Sequence, residues 1–296
     1  MAITTNAVDE AGLYLYGITV AEGALPAVGG VCGCHTRPSR RVGDPRCPTR
    51  RWGVCADATP AHRAAVEVPG IENAEVEQVV EGSLAAIITR VTSRKICPQR
   101  SNLAAHHRVL RDLTGQRPIL PVAFGTIADS QAQLREVLRR NHDVLLDQLK
   151  RLQGKVEMGL SVYWETPNIF EFFAATHGEL KEMRDRLFRP GRKPTIEEKI
   201  GVGRLFESLL QQSRQRHTCQ VVEALSPYCV EIRTIDPGEE KMIMKLACLV
   251  EKSRREQWED GIEVVAQHFD NHYCFKYTGP WAPHNFADID LKLGPA

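Results

Sequence analysis

A chain of 296 residues, 43% hydrophobic and 25% charged, has the composition of an ordinary globular protein and the length of about two domains. Its formal net charge of +1 gives no global attraction to nucleic acid or to an anionic membrane surface. The longest apolar runs, such as Leu84–Ile88, are far shorter than the ~20 residues of a membrane-spanning helix. Met1–Glu10 holds neither the basic nor the apolar region of an export signal, so a reducing cytoplasm is the expected compartment.

In chain order, Leu13–Thr19 reads as an alternating strand. Val76–Val80 and Leu84–Val91 read as two strands joined by a tight turn at Glu81-Gly82-Ser83. Ser101 or Asn102 is placed to cap a helix running through Leu113, ended by Gly115 and Pro118. Ile119–Phe124 is a short buried strand interrupted by Pro121, with Gly125 allowing a bend. The apolar positions Leu134, Val137, Leu138, Val144, Leu145, Leu149 and Leu152 fall on one face of a single long helix from Asp129 or Ser130. Gly154 stops that helix, and the domain boundary is placed there: residues 1–153 and 154–296.

Beyond it, Lys155–Trp164 alternates as a strand. Helical segments follow over Asn168–Leu187 and Thr195–Ala224, then strands Cys229–Ile235 and Met242–Val250, a helix Ser253–Phe269 and a strand Tyr273–Tyr277. The order β-α-β-β-α-β, with extra helix in the first crossover, predicts an α+β protein whose second domain is ferredoxin-like. Pro280 and Pro283, which lack a backbone donor, are expected to end the last strand. Trp281 between them is expected to serve as an apolar anchor, buried where the domains meet.

Gly30–Ala65 stands apart, with seven arginines against two aspartates, recurrent proline and glycine, and few apolar residues. It reads as a loop insertion lacking the apolar surface to fold alone. It also holds four of the nine cysteines: Cys32, Cys34, Cys47 and Cys55. No metal is expected, because these lack the paired C-x₂-C spacing of a zinc knuckle. A zinc site on these four, with His35 or His62 substituting, is the alternative. The other five cysteines read as buried small hydrophobes.

No nucleophile-elbow, phosphate-loop or H-E-x-x-H pattern occurs, and no catalytic residue or cofactor is expected. His106-His107 is the nearest thing to a ligand pair. Neighbours on a helix diverge by about 100°, so one is expected at the surface and one half-buried.

Three segments, in order, are Leu13-Tyr14-Leu15-Tyr16-Gly17-Ile18, Ile119–Thr126 and Tyr277–Phe286. Together they resemble the GvpF/GvpL family of gas vesicle accessory proteins. That resemblance implies two α+β domains and a role in vesicle assembly. It also implies the major shell protein and other accessory proteins as partners, with neither a membrane nor a specific nucleic acid. The residues that carry it are Pro121, Phe124, Gly125, Gly279, Pro280, Trp281, Pro283 and Phe286. The chain departs from the family where a basic residue is common (Ala123), where an aromatic is common (His284), and in the long insertion. Two other functions fit a ferredoxin-like domain: a small-ligand regulatory module and an RNA-binding protein. RNA would need exposed aromatics on central strands, which Cys229–Ile235 lacks.

Overall fold

The structure is a computed structural model that describes residues 12–21, 68–191 and 193–289. The insertion, with Cys32, Cys34, Cys47, Cys55, His35 and His62, lies outside the described residues.

The first half forms β1 (Gly12–Val20), β2 (Val76–Glu81), β3 (Leu84–Val91), α1 (Arg100–Gln116), β4 (Ile119–Pro121), β5 (Ile127–Ala128), α2 (Gln131–Arg140) and α3 (His142–Leu152). The sheet runs β2-β3-β1-β4, with β5 also pairing β1, and each pairing is antiparallel. Helix α1 covers one face through Val109, Leu110 and Leu113. The α2–α3 pair covers the other through Leu134, Leu138, Leu145 and Leu149. Every residue of β1 is therefore buried.

Simple alternation along β1 fails at one place. Opposite β3 the register jumps from Leu15↔Ile88 to Gly17↔Ile87, leaving Tyr16 as an extra, bulged residue. Leu13 and Leu15 face α2–α3, Tyr14 and Tyr16 face α1, and past the bulge Ile18 and Val20 return to the α2–α3 side. Glycine is required at 17, since a Cβ there would lie 2.7 Å from the Leu120 carbonyl oxygen.

Two of the long helices expected from sequence are broken. Asn141 (φ −107°, ψ 14°) separates α2 from α3, because its side-chain amide and its N–H both bond the Val137 carbonyl and close off the turn. Likewise α4 (Ile169–Thr176) and α5 (Gly178–Leu187) part at His177, which is extended and stacks on Phe173 at 5.3 Å. Helix α1 begins at Arg100, a residue or two ahead of its expected caps.

The second half adds β6 (Lys155–Trp164), α4, α5, α6 (Ile196–Leu225), β7 (Glu231–Ile235), β8 (Met242–Glu251), α7 (Arg255–Ala266) and β9 (Tyr273–Trp281). Its sheet runs β7-β8-β6-β9, again antiparallel throughout. Alternate residues Val156, Met158, Leu160, Val162 and Trp164 pack beneath the helices with Phe173, Val221 and Trp258. Thr195 and Glu198 form a reciprocal capping box that starts α6. Ala247 and Leu249, on the opposite face of β8, join the α2–α3 core of the first half. Of the scattered cysteines Cys248 is buried, whereas Cys97 and Cys219 are exposed, contrary to expectation.

Among the described residues no helix is long and apolar enough to cross a membrane.

Candidate functional site

The three motif segments, far apart in sequence, meet around the first turns of α1. Pro121 closes β4 opposite Gly17 of β1. The chain then turns at Ala123–Thr126, where Gly125 takes φ +89°. This turn sets the Phe124 ring 5.9 Å from Tyr14 and 5.6 Å from His106. Tyr14 and Tyr16 pack edge to face at 5.0 Å, and Tyr16 stacks on His106 at 5.6 Å. Of the adjacent histidines, one expected at the surface and one half-buried, His107 is exposed and His106 goes further inside than expected, at 1% exposed.

A hydrogen-bond chain fixes this cluster. The Tyr14 hydroxyl accepts from the Gly125 N–H at 3.2 Å and meets His106 Nδ1 at 2.9 Å. Either partner can supply the proton of that second bond, and the other imidazole nitrogen, Nε2, makes no use of it. Nε2 is buried without a protein partner, as is Nε2 of His284. Tyr16 accepts from the Ile71 N–H at 2.8 Å and donates to Thr89. Burial raises the pKa of both phenols above the usual tyrosine value. It lowers His106 to about 3 and His284 to about 4, assisted by the neighbouring His107. The buried His106 and half-buried His284 imidazoles are therefore neutral near pH 7.

The C-terminal segment arrives differently from expectation. Pro280 does not end β9. The strand continues to Trp281, and one extra residue is absorbed where the register passes from Gly159↔Thr278 to Glu157↔Trp281. On an edge strand the missing proline donor costs no ladder bond. Gly279 takes φ +130°, and a Cβ there would lie 2.8 Å from Met158 Sδ. The Gly279–Pro280 peptide is cis.

Trp281 is not buried either. The residue is 40% exposed, and its indole donates to Thr278 through Nε1 at 3.2 Å and lies 6.1 Å from the His107 ring. The buried anchor is Phe286, fully enclosed with Leu120, Leu149 and Leu249. Pro283, also buried, starts the short turn that delivers it.

Four residues from three elements grip this tail. Glu157 of β6 accepts from the Asn285 N–H at 2.8 Å and from its side-chain amide at 2.6 Å. Burial raises the Glu157 pKa, and the two Asn285 bonds oppose that rise. Arg233 of β7 donates to the Asn285 carbonyl at 2.6 Å and covers the Phe286 ring at 5.2 Å. Arg151 of α3 donates to the Phe286 carbonyl, and Gln148 exchanges two hydrogen bonds with the Asp288 backbone.

Three concavities open along this seam. One of about 440 Å³ is lined by Leu110, Arg111, Glu157, Trp281 and His284. One of about 230 Å³ beside it holds Arg111, Lys252, Arg255 and Pro280. The third, about 300 Å³, is bordered by both positions that depart from the family pattern, Ala123 and His284, together with Pro121. Among the described residues no group of three or more His, Cys, Asp or Glu is arranged to hold a metal ion.

Residues 12–288 match the family described as "Gas vesicle synthesis protein GvpL/GvpF". The chain belongs to the GvpL/GvpF family. It is 27% identical over 246 residues to gas vesicle protein F of Dolichospermum flosaquae, covering 82% of this chain and 98% of that one. It is also 27% identical over 195 residues to gas vesicle protein L of Streptomyces sp. (strain CB03234), covering 62% and 68%. The crystal structure of the gas vesicle protein GvpF from Anabaena sp. PCC7120 superposes with a TM-score of 0.69 at 22% identity, over 94% of this chain and 99% of that one. At that identity the likeness speaks for the fold. The GvpL/GvpF match takes in both sheets and the gripped tail, so all three motif segments lie within it.

Proposed function

We propose that this chain is an assembly factor for gas vesicles, which binds the major shell protein and helps a vesicle nucleate or grow in the cytoplasm. The observation that carries the reading is the family match over residues 12–288, spanning both sheets. Physical chemistry gives the role a purpose. A wall subunit that keeps water out of a gas space exposes apolar surface and unpaired strand edges before it assembles, and such surfaces aggregate. A folded partner with sheet edges of its own can cover them by strand addition. Among the described residues β2 and β7 each pair on one side only.

We read the two sheets as two domains meeting near Gly154. The second is read as ferredoxin-like, a reading supported by its strand order and by the helices between its first and second and its third and fourth strands. Contact with other accessory proteins, with neither membrane nor specific nucleic acid, completes the proposal. Pro121, Phe124, Gly125 and Gly279–Phe286 are proposed as the frame that holds the contact surface in shape.

The test is capture of a purified gas vesicle shell subunit by the full chain, run beside an RNA titration. Capture that survives raised salt is the expected outcome. RNA binding that falls steeply with salt, without shell capture, would instead assign the chain to nucleic acid.

A further inference from the structure

We propose that the seam between α1 and β9 docks a peptide segment of a partner protein in which a carboxylate side chain stands beside a large apolar one. This rests on the assembly reading above and adds where contact is made and by what chemistry.

The seam has two unlike compartments. The larger, about 440 Å³, is walled by Leu110, Ala282 and the half-exposed indole of Trp281. Its one acid, Glu157, has both oxygens occupied by Asn285. The smaller, about 230 Å³, gathers Arg111, Lys252 and Arg255 around Pro280. Arg111 lines both compartments and makes no ion pair among the described residues. Lys252 donates to the Thr114 carbonyl, a neutral group that leaves its charge uncompensated. Arg255 pairs with Glu259 at 3.4 Å on an exposed helical turn. The smaller compartment therefore carries excess positive charge and the larger is apolar, and the two adjoin at Arg111.

Charge complementarity selects the occupant. A bare anion would use the cations and leave the apolar compartment empty. A wholly apolar segment would leave Arg111 and Lys252 without a counter-charge. A segment with an acidic side chain next to a leucine or an aromatic fills both. Arginine and tryptophan, the residues shared out between these walls, are the types that dominate binding energy at protein interfaces.

The test uses the full chain with Trp281→Ala and an Arg111→Glu/Arg255→Glu double variant, all these residues being exposed. The probes are a labelled hexapeptide of glutamates alternating with leucine and phenylalanine, its twin with lysines for glutamates, and a single-stranded RNA of equal charge. Anisotropy is expected to show saturable binding of the glutamate peptide alone, weakened at least tenfold in either variant. Equal binding of the lysine twin, binding of RNA only, or no binding at all overturns the proposal. A parallel capture of the shell subunit separates the two readings. Wild-type capture unaffected by both variants sinks the seam and leaves the assembly role standing. Absent capture with intact glutamate-peptide binding does the reverse.

Discussion

Trp281 and Phe286 lie five residues apart on the same tail, and the larger ring is the one left at the surface. Trp281 follows the bulge on edge strand β9 and is 40% exposed. Phe286 follows a buried proline and a short turn, and is wholly enclosed. Ring size does not decide which residue anchors a segment; the geometry of delivery does. The tail is held by the smaller ring and by hydrogen bonds to its own backbone, which frees the indole to meet something else.

That contrast is broken most directly at the anchor. Phe286→Ala should cost ~3–5 kcal/mol, the penalty for emptying a closed aromatic site. A urea midpoint within error of wild type would show that the tail is held by Glu157, Arg151 and Arg233 alone.

Acid should come next. Unfolded histidines take up protons near pH 6.5, whereas His106 and His284 resist until about 3 and about 4. Between those values the unfolded chain binds more protons, so stability falls as the pH drops. Each neutral imidazole corresponds to roughly 3 kcal/mol lost by pH 4. A profile of melting temperature against pH should slope down below about 6.5, and replacing both residues with phenylalanine should flatten it. A wild-type profile level to pH 4.5 would contradict the burial described here.

Tyr14→Phe removes the oxygen shared by Gly125 and His106 and should cost about 1–3 kcal/mol, mainly from unsatisfied buried groups. Calorimetry on the two proteins reads the difference, and an unchanged transition would mean water replaces the hydroxyl. The smallest effect is expected at Trp281→Ala, below about 1 kcal/mol, since an exposed ring leaves little cavity. A loss as large as that of Phe286→Ala would place the indole inside after all.

Much of the framework was legible because local signals agreed with tertiary demand. The hairpin at Gly82 and the stop at Gly154 both occur with positive φ, as glycine there implied. Strand β6 alternates because only one face meets the helices along its length. The β1 bulge was not legible: Leu13–Val20 is apolar or small on both sides, so a shift of one residue leaves no mark on the pattern. The Asn141 break was masked by leucines that keep helical spacing across it. His106 did carry a signal, since Val109 and Leu110, three and four residues on, lie on the buried face of α1. Glu157 carried none, because its partner Asn285 is 128 residues away. Arg111, Lys252 and Arg255 likewise come together only when the two halves close. The exposure of Trp281 depends on the β9 bulge, which two prolines in the sequence disguised as the end of a strand.

Phe286 completes the core that β1 begins, and its backbone is pinned by Arg151 of α3. During synthesis β1 emerges long before the ring that seals it. The core against β1 thus stays unsealed until residue 286 has been made, and a chain cut short before it would keep that core open.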